Sequence, residues 1–319
     1  MNNPSSNDEN ESVVPDASVR PETDQSTRSK RSGTIWNKLR GVLLLIVCAY
    51  LLVLVLLAIF ENSLVYPGSK YPRGDWEPAG FQFEEVLFES SDNTQLCGWY
   101  LPREDATETV LLCHGNAENA AQASQYMGDQ LREKLNANVF VFDYRGYGKS
   151  EGKPNEPGVL ADSEAALEWL CNRENLQPAQ VIICGHSLGG GPAVHLASKS
   201  GAKALIIQQS FNSIVAAAKA QYPWVPVGWL MKNRYPSDEK IKNYDGPVFC
   251  SHGDADRVVA FECGRQLFEA STSNRKMFFR REGLGHYDPY YPEYWDALTG
   301  FLFENTSTAP DNQTGQDAD

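Results

Sequence analysis

Val181-Ile182-Ile183-Cys184-Gly185-His186-Ser187-Leu188-Gly189-Gly190-Gly191 is the stretch on which the reading of this chain turns. Its apolar start predicts a buried strand, and the residues that follow, Pro192-Ala193-Val194-His195-Leu196-Ala197, predict the beginning of a helix. Between them lies Gly-x-Ser-x-Gly, Gly185 to Gly189. A strand that turns sharply into a helix at this pattern lifts the serine hydroxyl above a sheet. The serine takes a strained backbone conformation there, so the positions two before and two after it must be small enough not to collide. The hydroxyl also stands near a helix N-terminus, where free N–H groups and the dipole favour developing negative charge. The pentapeptide alone also fits a glycine-rich turn with a chance serine, so the rest of the chain has to supply the partners.

Outward from this elbow, strands and helices alternate. Phe81 to Phe88 and Leu96 to Leu101 read as an antiparallel pair of strands. Val110-Leu111-Leu112-Cys113 and Val139-Phe140-Val141-Phe142 are continuous apolar runs, as strands covered on both faces should be. Ala204 to Ile207, Val248 to Cys250 and Lys276 to Phe279 predict three more strands. Helices are expected over Ala117–Leu135, Gly158–Leu170, Pro192–Ser200 and Glu293–Phe303. The pattern predicts an α/β architecture: a mostly parallel central sheet with helices on both faces. A long connection at about 211–246, with helical and aromatic stretches, reads as a cap insertion over the serine. Its apolar face, with Trp224 and Trp229, is expected to line an acyl pocket, the alternative being a scaffold that packs on the sheet.

The ends of the chain read differently. Residues 1–40 are expected to form a polar, disordered cytoplasmic tail and residues 306–319 a second disordered tail. From Gly41 to Phe60 no residue is charged, and twenty helical residues span about 30 Å, the thickness of a bilayer core. A cleaved signal peptide would have a shorter apolar region and a small-x-small site, which Ala58-Ile59-Phe60-Glu61 does not offer. The run therefore reads as an uncleaved single-pass membrane anchor over 41–60, with the globular domain over 61–305. Arg28, Lys30, Arg31, Lys38 and Arg40 precede it and Glu61 is the first charge after it, which predicts a cytoplasmic N-terminus and a domain on the other side. Asn305 and Asn312 head glycosylation sequons, relevant only in a secretory pathway.

Composition narrows the function. The 319 residues carry a formal net charge of -13, which argues against nucleic acid as a partner. The seven cysteines are scattered, without C-x-x-C or Cys/His ligand spacing, and no phosphate-binding glycine loop is present. No metal and no cofactor is expected.

A serine nucleophile needs a base within hydrogen-bond reach and a group that orients the base. In sheets with such an elbow the order along the chain is serine, acid, histidine. Of the five histidines only His286 lies in a loop after the last expected strand, so it is the candidate base. His186 is expected to point away from the serine, and His195 to be a packed core residue. The acid should follow the preceding strand, where both Asp254 and Asp256 stand, and spacing alone does not choose between them. The oxyanion needs two backbone N–H groups: Leu188, directly after the serine, and Asn116, in the loop after the third strand.

His114-Gly115-Asn116-Ala117, Asp143 to Ser150, Gly185 to Gly190 and His252-Gly253-Asp254-Ala255-Asp256 together resemble the membrane-anchored α/β-hydrolases of the bud-emergence (Bem) type. That family is similar to the serine aminopeptidase group and to the protein depalmitoylases, and the resemblance runs from about Gly80 to Phe303. It implies the α/β-hydrolase fold and selects Asp256, the last Asp of His-Gly-x-x-Asp, as the acid. Two positions depart from the family's pattern: Glu118 replaces a usual glycine, and Gly191 sits where alanine is common. The expected function is a membrane-anchored serine hydrolase with catalytic Ser187, Asp256 and His286. Its substrate is expected to be a small-molecule or lipid-like acyl ester or thioester. An amide or peptide bond is the alternative substrate, and a non-catalytic binding protein the alternative from another class.

Overall fold

The structure is a computed structural model that describes residues 25–303, with side chains from Trp36 onward. The tails expected beyond those limits and the two sequons lie outside the described residues. The chain divides at Val55 into two units. The first is helical: α1 (Gln25–Ile59) runs through the expected anchor, and its portion Trp36–Ile59 is long and apolar enough to cross a membrane. The helix starts well before Gly41, so the tail expected to reach residue 40 is corrected over 25–40. Arg, Lys and Gln are good helix formers, and an existing helix extends at the cost of one residue at a time.

The second unit takes in the last residues of α1 and α2 (Glu61–Val65) and then builds one eight-stranded sheet. Its strands are β1 (Glu84–Glu89), β2 (Gln95–Leu101), β3 (Glu108–Cys113), β4 (Ala137–Phe142), β5 (Ile182–His186), β6 (Ala204–Gln208), β7 (Val248–Gly253) and β8 (Lys276–Arg281). They lie in the order β1-β2-β4-β3-β5-β6-β7-β8. The pairs β1–β2 and β2–β4 are antiparallel and all the others parallel. This is the α/β-hydrolase fold expected from the sequence.

The apolar runs are continuous because both faces are covered. Leu111, Cys113, Ile183 and Leu205 face one core, beneath α5 (Glu156–Glu174), α6 (Gly190–Ser200) and α10 (Phe261–Ala270). Their neighbours Val110, Leu112, Ile182 and Ile206 face the other, beneath α3 (Ala120–Ala123), α4 (Asp129–Lys134) and α11 (Pro292–Phe303). The single helix expected over Ala117–Leu135 is broken, with a π-helical turn at Ser124–Gly128 between α3 and α4. The insertion at 211–246 holds three short helices, α7 (Ile214–Gln221), α8 (Val227–Leu230) and α9 (Ser237–Lys240).

The insertion is tied to the segment that follows α1. Glu61 is buried, and its Oε1 accepts from the backbone N–H of Lys232 (2.8 Å), the backbone N–H of Asn233 (2.8 Å) and the Asn233 amide (3.0 Å). The Tyr66 hydroxyl donates to Asn233 Oδ1 at 3.0 Å and lies 2.8 Å from the Tyr235 hydroxyl. Tyr235 packs onto Gly191 of α6, where a Cβ would overlap its ring. That contact explains glycine where alanine is common: the space belongs to a tyrosine of the insertion.

Candidate active site

The elbow is built as the sequence requires. Ser187 sits between β5 and the turn into α6 with φ +52°, a left-handed conformation that a serine holds only when its surroundings impose it. The surroundings are close-packed. A Cβ at Gly189 would overlap the Cys113 carbonyl of β3, and one at Gly185 would meet the Gly189 carbonyl oxygen at 2.5 Å. Ser210, two residues past β6, donates its hydroxyl to the Ser187 carbonyl at 2.8 Å and fixes the strained peptide.

Three elements bring the polar groups to this point. The loop after β8 carries His286, whose Nε2 lies 3.0 Å from Ser187 Oγ. The loop after β7 carries Asp256, whose Oδ2 lies 2.7 Å from His286 Nδ1. A carboxylate only accepts, so Nδ1 carries the ring proton and Nε2 is left to accept from the serine hydroxyl. Asp256 Oδ1 accepts in turn from the backbone N–H groups of Val258 (2.8 Å) and Val259 (2.9 Å), which fixes its orientation. Asp254 is engaged elsewhere, with Arg280 at 2.9 Å and the Gly283 N–H at 2.7 Å. The structure thus brings Ser187, His286 and Asp256 together and leaves Asp254 apart.

Electrostatics follow from burial. All three side chains are buried. Burial lowers the His286 pKa from its ordinary value and nearby His186 adds to the lowering, while the hydrogen bond to Asp256 opposes both. Burial pushes the Asp256 carboxyl up, but hydrogen bonds from His252 and His286 outweigh it and hold the group below the usual carboxylate range. His286 is therefore a neutral base at neutral pH beside an ionised acid.

A cavity of about 210 Å³ opens beside Ser187. Leu112, Ala123, Met127 and Tyr290 give it apolar walls, and Asn116, on the loop after β3, also lines it. The Asn116 side chain donates to the Val65 carbonyl at 3.2 Å, which holds this loop against the C-terminal end of α2. Leu188 opens the turn directly behind the serine. No residue of 211–246 lines the cavity, and the expectation that Trp224 and Trp229 cover an acyl pocket is corrected. Trp229 is almost fully exposed and Trp224 more than half so, because the insertion buries Ile214, Val225, Val227 and Tyr235 instead.

Relatives agree with this architecture. A family model for the alpha/beta hydrolase fold matches residues 108–230. The Mycobacterium tuberculosis protein Rv2307c is 34% identical over 232 residues, covering 71% of this chain and 80% of its own length. Alpha/beta hydrolase domain-containing protein 17C of Mus musculus is 31% identical over 236 residues, 72% of each chain. The chain belongs to the α/β-hydrolase family. Among solved structures, esterase Pf2001 of Pyrococcus furiosus shares the fold with a TM-score of 0.59 at 20% identity, over 74% of this chain and 97% of that one. Acetyl xylan esterase 1 from Thermoanaerobacterium shares it with a TM-score of 0.57 at 16% identity, over 72% and 86%.

Within this α/β-hydrolase, several residues around the serine were not legible in advance. His186, expected to point away, lines the cavity, and its ring lies 5.5 Å from that of His286. Its Nδ1 is 3.3 Å from Glu118 Oε1, and the same oxygen accepts the Gly115 N–H at 2.8 Å. Burial raises the Glu118 pKa, but the hydrogen bond and charge of His186 outweigh it and bring the group to about 2. The departure from glycine at 118 thus places a carboxylate on the loop after β3, against His186. Tyr126 and Met127 reach the cavity from the π-helical turn, a feature with no signal in a single sequence. His195, expected in the core, is half-buried and pairs with Glu164 at 2.7 Å.

Proposed function

We propose that this chain is a membrane-anchored serine hydrolase that cleaves a carboxylic ester or thioester through an acyl-enzyme. One observation carries the reading: Ser187 Oγ lies 3.0 Å from a histidine nitrogen whose ring partner is held 2.7 Å from a buried carboxylate. In this reaction His286 takes the serine proton as Oγ attacks the acyl carbonyl. The backbone N–H groups of Leu188 and Asn116 receive the negative charge that develops on the carbonyl oxygen. His286 then protonates the leaving group, and Asp256 holds the imidazole tautomer and stabilises its charged form. Water, deprotonated by the same imidazole, releases the acid.

The apolar span of α1 supports the anchor, and the basic residues before it support a cytoplasmic N-terminus with the catalytic domain on the other side. The motifs that resemble the bud-emergence type belong to the same reading. Fluorophosphonate labelling tests the chemistry: the wild type is expected to label, and Ser187→Ala to lose the label while keeping its circular dichroism spectrum. A wild type that stays unlabelled, with no turnover of esters, thioesters or aminoacyl amides, would make the chain a non-catalytic member of the family.

A further inference from the structure

The insertion at 211–246 brings aromatic side chains to the surface. Trp229 is 95% exposed, Trp224 57% and Tyr222 55%, all within one eight-residue stretch. Large apolar rings gathered on one exposed segment mark an interaction surface. The backbone beneath them is fixed, since Pro223 and Pro226 restrict it and the Arg234 guanidinium donates to the Gly228 and Met231 carbonyls around α8. The surface is therefore prepared rather than loosely draped.

Its charge is equally distinctive. From Phe211 to Ser237 the chain contains Lys219, Lys232 and Arg234 and no aspartate or glutamate, in a molecule with a net charge of -13. All three basic residues are exposed. Tryptophan and tyrosine flanked by lysine and arginine suit the headgroup region of a bilayer, where an aromatic ring meets apolar chains and a polar layer at once. The position of the segment agrees. Glu61 holds the backbone of Lys232 at 2.8 Å, and Trp229 is three residues away, at most about 11 Å of chain. Glu61 is itself only two residues beyond Ile59, where α1 ends.

We propose that the stretch from Tyr222 to Trp229 docks on the surface of a bilayer that contains anionic lipids. Its rings lie at headgroup level, with Lys219 and Lys232 against lipid phosphates. The inference rests on reading α1 as a membrane anchor and extends it: the catalytic domain is held on the lipid surface rather than tethered loosely above it. Docking of this kind keeps Ser187 close to esters carried in the membrane.

The test uses the full chain reconstituted in phosphatidylcholine vesicles with and without phosphatidylglycerol, the lipids brominated near the headgroup. The difference in emission between wild type and Trp229→Phe isolates one ring, and its exposure makes the substitution harmless to folding. That difference is expected to be blue-shifted and quenched by shallow bromines. Lys219→Glu with Lys232→Glu is expected to reduce the quenching in the anionic vesicles and leave it unchanged in the neutral ones. Trp229→Ala is expected to slow hydrolysis of a vesicle-borne ester roughly fivefold while leaving a soluble short ester unaffected. A water-like, unquenched Trp229 in a chain that resists carbonate extraction would overturn the docking and leave the anchor standing. A chain that carbonate removes, but whose Trp229 was quenched beforehand, would keep the docking and lose the anchor. A blue-shifted but unquenched Trp229 in cross-linked dimers would assign the surface to a second copy of the chain and overturn the proposal.

Discussion

At Ser187 the whole site depends on a hydroxyl whose partner nitrogen is kept free of a proton. The proton on His286 is held at Nδ1 by Asp256, 2.7 Å away, and replacing that carboxylate by an amide lets the imidazole adopt the other tautomer. Asp256→Asn is expected to lower kcat by about 10³–10⁴, as measured with a soluble ester. Asp254→Asn is expected to change kcat little, because Asp254 pairs with Arg280 outside the site. Equal losses in the two variants would refute the assignment. The pH profile follows from the same burial. In the proposed reaction the base is neutral His286, whose pKa lies below its ordinary value, so kcat/KM is expected to be full at neutral pH. It falls only as the pH drops through that lowered pKa, with the acid limb below about 6.5. The stability linkage has the same sign: the folded state binds this proton more weakly than the unfolded chain does. The contribution is full above the unfolded value and is lost as the pH falls through the folded one.

Among the elements, the tightest constraint is the crossing of the elbow over β3. A methyl group at Gly189 would run into the Cys113 carbonyl, which is backbone and cannot swing aside. Gly189→Ala is therefore expected to destabilise by about 1–3 kcal/mol, read by urea denaturation, and to abolish labelling of Ser187. The second constraint is the contact between α2 and the insertion. Glu61 Oε1 satisfies three N–H groups, so Glu61→Ala strands buried donors at about 1–3 kcal/mol. Faster hydrogen exchange at residues 230–235 is the expected signature, with Glu61→Gln much milder because its carbonyl oxygen still accepts.

On the scale of the molecule, the proposed reaction makes the cavity the feature that limits the substrate range. Each buried methylene is worth about 0.8 kcal/mol, so kcat/KM is expected to rise roughly fourfold per carbon for short acyl chains. A space of about 210 Å³ is small beside ordinary ligand pockets, and the rise is expected to stop after a few carbons in a series from acetate to palmitate. Met127→Ala, which opens the apolar wall, is expected to move the plateau to longer chains. A profile that climbs to palmitate in the wild type would show that the cavity opens further during binding. Protease added to the outer face of sealed vesicles is expected to digest the α/β domain and spare the N-terminal segment, as the proposed anchor and its basic flank require. A protected domain would reverse the proposed orientation.

Local signals sufficed wherever one residue type answers one local demand. The strands β3 to β7 were legible because a strand covered on both faces must be apolar throughout, and the elbow because glycines are needed beside a strained serine. The apolar stretch within α1 was legible from length and the absence of charge, and the chain order selected His286. Tertiary structure decided what depends on distances between remote segments. Asp256 and Asp254 are two residues apart and chemically identical, and only the loop's path turns one toward His286 and the other toward Arg280. The same holds for the insertion. Its aromatic residues have the composition of a pocket lid, but Ile214, Val225, Val227 and Tyr235 take the buried positions and leave Trp224 and Trp229 outside. Which apolar side chains go inward is settled by the surface they pack against, and for Tyr235 that surface comes from α6 and the segment after α1, far away in the chain.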